Sequence, residues 1–171
     1  MNTQRNPDYH KAEQEALKIL NECGIIEPPV DLFKITEDYG IGVQFVEFKD
    51  DYKAVSGFYS AKQDTIFVNE EEFPSRQFFT IAHELGHRFL HRTWVESIEY
   101  QVLLREQLEN PSKDWHEREA NCFAANLLVP KFILDKYKDA PIESLAILFS
   151  VSRPMISHRL KFLYEYNRKC I

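Results

Sequence analysis

At 171 residues, with 44% apolar and 28% charged side chains, the chain is long enough to bury a core and its composition is that of a globular protein, with nothing to suggest disorder. A formal net charge of −6 argues against a general nucleic-acid binder, and three scattered cysteines (Cys23, Cys122 and Cys170) do not make a disulfide framework. The opening stretch MNTQRNPDYHKAEQ is polar with no hydrophobic run behind it, and nothing approaches the roughly 18 apolar residues of a membrane span. The expectation is a soluble cytoplasmic protein with one domain over residues 1–171.

In chain order, DYHKAEQEALKILNECG reads as a helix with Asp8 as N-cap, an apolar stripe of Ala12, Ala16, Ile19 and Leu20, and Gly24 as its stop. VDLFKITEDYG reads as a short second helix ending at Gly40. IGVQFVEF alternates Ile41, Val43 and Phe45 as a strand does, and AVSGFYS and DTIFVNE read as two more strands joined by a hairpin loop at SAKQD. From Pro74 the pattern turns helical. Residues 94–113 are polar and charged, with a helical stretch and a loop at Asn110-Pro111-Ser112. Residues 114–128 form another helix, stopped before Pro130 because the residue preceding a proline disfavours the α region. Two or three short helices follow to about Tyr166. No repeat or linker interrupts the chain.

The stretch FFTIAHELGHRFLH, residues 78–91, places three of the six histidines on an otherwise apolar helix. Such a face normally enters a core, which excludes imidazole and carboxylate unless something satisfies them. His83 and His87, four apart, are separated by about 40° and 6 Å and project from one face. Two imidazoles so placed can meet at one Zn²⁺ with bonds of about 2 Å. Glu84 then lies beside the metal, within reach of a bound water but outside the ligand shell. This is H-E-x-x-H, the signature of zinc proteases. With six His and eighteen Glu in the chain, chance would produce about 0.02 copies, so the motif is informative. His91 extends the series, but it lies about 12 Å along the axis from His83, too far to share a metal. It reads as a supporting or packing residue behind the ligands.

A catalytic zinc centre needs a third protein ligand and keeps the fourth position for water. The candidate stretch is WHEREANCFAANLLVP, residues 115–130, where Ala120, Phe123, Ala124, Leu127 and Leu128 form one apolar face at about 100° per residue. Glu117 lies near an edge of that face, with Asn121 one turn on. Arg118 points away and Glu119 lies outside the stripe. His116 is also close to the apolar face, and spacing alone does not separate it from Glu117.

HELGH, preceded by FFTIA and followed about thirty residues later by EREANCFAANLLVP, resembles the ImmA/IrrE family of zinc metallopeptidases. PPVDLFKITEDYGIGV and SGFY…DTIFVNE are similar to that family's upstream segment, so the resemblance covers about residues 15–165. It implies a small α+β fold of zincin-like (gluzincin) type: a short sheet packed on the metal-binding helices, with a helical C-terminus. It implies Zn²⁺ held by His83, His87 and Glu117, which decides for Glu117 over His116, with Glu84 as the catalytic glutamate. Asn121 occupies a place where a hydrogen bond orienting a histidine ligand is expected. The implied partner is a protein substrate, a helix-turn-helix transcriptional repressor whose cleavage relieves repression in stress response, mobile-element or toxin–antitoxin control. Neither direct nucleic-acid binding nor a membrane is expected.

A competing class is hinted at by LAILFSVSRPMISHRLKFL, residues 145–163. Leu145, Ala146, Val151, Ile156 and Leu160 have the core spacing of a helix-turn-helix, and residues 151–171 carry five Arg/Lys against one Glu. The turn lacks its usual glycine, with Phe149 and Ser150 standing there. Core packing is the preferred reading, with a DNA-binding or partner-binding regulator as the alternative.

Overall fold

The structure, a computed structural model, describes residues 6–49, 52–97 and 114–165. Most of the polar stretch 94–113, with its Asn-Pro-Ser loop, and the basic tail from 166 lie outside the described residues.

Helix α1 (Tyr9–Glu22) is capped by Asp8, whose carboxylate accepts the Lys11 amide at 2.9 Å, and buries the expected stripe of Ala12, Ala16, Ile19 and Leu20. Gly24 ends it at φ +65°, a conformation glycine adopts without strain. Helix α2 (Leu32–Asp38) follows, capped by Asp31. Strands β1 (Gly42–Val46), β2 (Gly57–Ser60) and β3 (Thr65–Asn69) form one sheet in the order β1-β3-β2. β2 and β3 make the expected antiparallel hairpin, while β1 runs parallel to β3, so the central strand is the last in sequence. Its residues Thr65, Ile66, Val68 and Asn69 are buried.

Helix α3 (Pro74–Leu90) begins at its proline, a residue suited to a first turn that has no intrahelical use for its N–H. It lies against β2 and β3 on one side and against α5 (Trp115–Leu128) on another. A short helix α4 (Arg92–Val95) follows it, with His91 at the joint. α5 is capped by Asp114 and ends at Val129, before Pro130. It packs on both α1 and α3, which makes it the middle layer of the helical side.

The C-terminal part holds α6 (Lys131–Leu134), α7 (Ile142–Leu148), α8 (Arg153–Leu160) and a π-helical turn over Lys161–Glu165. Leu145, Phe149, Val151 and Ile156 are buried among them. The sheet, the helices packed on it and this helical end make a mixed α+β fold. Among the described residues no helix is long and apolar enough to cross a membrane.

Candidate metal centre

The close crossing of α3 and α5 builds the site. Gly86 allows it: a Cβ there would lie 3.0 Å from the Cα of Ala120 and 3.2 Å from the Phe123 ring. With the helices this near, Glu117 reaches the histidine face of α3. Its carboxylate oxygens lie 3.2 Å from His83 Nε2 and 3.2 Å from His87 Nε2, and the two Nε2 atoms are 3.0 Å apart. Ligands at tetrahedral zinc, with bonds of about 2 Å, stand about 3.3 Å from one another. These residues could therefore hold one metal ion. His116, left beside Glu117 by its spacing, faces elsewhere: it stacks on Trp94 with ring centroids 3.7 Å apart and bonds Asp114 at 2.7 Å.

Hydrogen bonds behind the histidines decide which nitrogens face the centre. His83 Nδ1 donates to Asn121 Oδ1 at 3.0 Å, which turns Nε2 toward Glu117. A longer chain stands behind His87. His91 Nε2 donates to the Glu119 carboxylate at 2.9 Å, so its Nδ1 is free to accept from His87 Nδ1 at 3.3 Å. Burial pushes the His91 imidazole down to about 2, which keeps it neutral with a single proton, as this relay requires. The other Glu119 oxygen accepts the Asp8 amide at 2.6 Å, tying the start of α1 to the same chain.

Glu119, which lies outside the apolar stripe, is nevertheless buried, at 1% exposure. A single apolar stripe described only one of the two faces that α5 buries, because α1 covers the side on which Glu119 sits. Glu119 and Gly86 are the residues that sequence reasoning passed over. The signal for Gly86 was in the motif: a glycine inside a helix is costly unless something must approach closely.

Glu84 differs from Glu117. Burial drives the Glu84 carboxyl above its usual range, against the pull of His87 and His83, and the Tyr59 main chain hydrogen-bonds to it. Its Oε2 is the one buried side-chain oxygen or nitrogen without a hydrogen-bond partner among the described residues. For Glu117, burial also acts upward, but hydrogen bonds from His83 and His87 outweigh it and hold the carboxyl well below the ordinary range. One carboxylate is locked between imidazoles and the other keeps an unused acceptor beside them. The orphaned oxygen and the convergent N,N,O donor set are what a metal with an accompanying water would complete.

Residues 36–161 match the family profile Peptidase_M78, described as the IrrE N-terminal-like domain. The chain belongs to this family. An "Uncharacterized immunity region protein 2" of Bacillus phage phi105 is 29% identical to this Peptidase_M78 member over 102 residues, which is 57% of this chain and 60% of the phage protein. A Mycobacterium tuberculosis transcriptional regulator shares the fold, with a TM-score of 0.63 at 22% identity over 89% of this chain. The match takes in 46% of that regulator, so the chain spans less than two thirds of either protein.

Proposed function

We propose that this chain is a single-domain zinc metalloendopeptidase acting on a protein substrate, with His83, His87 and Glu117 as metal ligands. The observation that carries the reading is the unpartnered Oε2 of buried Glu84 beside three convergent donors. When bound, the zinc ion supplies Lewis acidity toward water and toward a peptide carbonyl. Glu84 takes a proton from the attacking water on Oε2 and returns it to the leaving amine. Its raised affinity for a proton suits that exchange, because a weaker acid is a stronger base. Asn121 and the Glu119–His91 chain hold the two imidazoles in the tautomer that points Nε2 inward.

The substrate class is a helix-turn-helix repressor, and its loss relieves repression in the cytoplasm. Family membership and the immunity-region relative support this reading. The test is co-expression with the repressor encoded beside the gene, followed on a gel, with zinc counted in the purified protein. A zinc-free protein, or an intact repressor beside a zinc-loaded one, ends this assignment.

One observation favours a second reading. Ser150 adopts φ +55° between α7 and α8, the left-handed conformation usually given to glycine in a helix-turn-helix, so the turn forms without it. However, Pro154, His158 and Phe162, spaced four apart, line a concavity shared with α3 and α5. A recognition helix must project into a groove about 12 Å wide. The peptidase reading is preferred.

A further inference from the structure

A cavity of about 800 Å³ lies between the first turns of α3, one side of α5, the start of α1 and this face of α8. It adjoins the candidate metal centre on the Asn121 side of His83. Asn121, which holds His83, lines it, and so does Phe79, whose ring centroid is 6.1 Å from that of His83. Its walls are largely apolar, with Phe162 and Tyr9 at 59% and 42% exposure.

The charge of this groove opposes that of the chain. Arg76, Arg118, His158 and Arg159 line it, with no aspartate or glutamate, although the chain carries a net charge of −6. In their hydrogen bonds and ring contacts the three arginines meet only uncharged groups among the described residues, and the Glu13 charge acts on Arg159 without a hydrogen bond. Arg76 bonds the Ser56 hydroxyl and lies over Phe79, and Arg118 lies over Tyr9. Arg159 is 5% exposed and donates to the Val129 carbonyl and to Asn126 Oδ1. Burying a guanidinium without a carboxylate hydrogen-bonded to it costs stability. A groove that keeps such a group beside two unpaired arginines is suited to an occupant that brings the anion.

We propose that the groove binds the part of the protein substrate next to the scissile bond and selects a bulky apolar side chain adjoining an aspartate or glutamate. The apolar residue packs on Phe79 and Phe162, and the carboxylate meets Arg118 and Arg76 at the rim. This inference rests on the metallopeptidase reading for the bond that is cut, but binding can be measured without cleavage.

The experiment uses zinc-loaded Glu84→Gln protein and fluorescence anisotropy with pools of labelled peptides. The pools have degenerate flanks around a central Phe followed by Glu, Gln or Lys. The Glu pool should bind at least about tenfold more tightly than the Gln pool, the range of a charge-assisted contact. The Arg76→Ala/Arg118→Ala double variant should lose that difference while keeping its zinc content and Tm. Phe162→Ser should weaken the Glu and Gln pools equally. Equal binding of all pools, absence of binding, or discrimination that survives in the double variant overturns the proposal. Tighter binding of a DNA duplex than of the Glu pool, lost in the same variant, overturns it in favour of nucleic acid. Discrimination by a protein whose unsubstituted form cleaves no repressor keeps the groove and removes the repressor as its substrate. Repressor cleavage without discrimination removes the groove alone.

Discussion

Gly86 of α3 faces Ala120 of α5 so closely that a Cβ on the glycine would stand 3.0 Å from the alanine Cα. Glu117 sits one turn before Ala120, so this contact governs how far its carboxylate reaches toward His83 and His87. Gly86→Val should push the helices apart, costing roughly 1–3 kcal/mol as overpacking does, and should weaken zinc binding as well. Urea unfolding and a zinc titration check both parts. Wild-type zinc affinity in a folded Gly86→Val protein would show that the crossing distance does not set the site.

The carboxylates of α5 should separate by role. Glu117→Ala removes one of three protein ligands and should lose zinc under conditions where the unsubstituted protein retains it. Glu119→Ala, which the stripe alone would leave without effect, should instead lower zinc affinity by about 10–100-fold through the freed His91 and His87 rings. Glu119→Gln keeps an acceptor for His91 and should recover part of the loss. Competition with a chelator measures all three. Wild-type affinity in Glu119→Ala would reduce the chain behind His87 to packing.

Glu84→Gln keeps the size and hydrogen-bonding capacity of the side chain but cannot take the proton. Zinc content should be unchanged while repressor cleavage falls by at least about 10²-fold. His83→Ala should lose both zinc and activity. Cleavage by Glu84→Gln at the normal rate would rule out general-base hydrolysis at this centre.

The helical C-terminus should behave as core. Ile156 is fully buried, so Ile156→Ala should destabilise the protein by roughly 2–5 kcal/mol. Thermal and urea unfolding check this. Duplex binding should be weak, with a steep salt dependence and little sequence preference. Nanomolar selective binding at physiological salt would favour the regulator reading instead.

Much of the fold was legible because its signals are local. Asp8, Gly24, Pro74 and Pro130 start or stop helices through their own backbone chemistry, and those positions agree with the structure. His83 and His87 share a face because four residues make about one turn, and the structure brings their Nε2 atoms to 3.0 Å. What sequence could not supply was the pairing of faces from different elements. Its one-stripe reading of α5 omitted Glu119, because that carboxylate is buried by α1, about a hundred residues earlier in the chain. Spacing left His116 and Glu117 as equals, and only the position of α3 turns one toward the histidines and the other against Trp94. The parallel pairing of β1 with β3 and the charge of the groove likewise come from segments distant in sequence. Capping and periodicity are properties of a few consecutive residues, whereas a metal centre is defined by donor atoms meeting within a few ångströms, which only the packed helices decide.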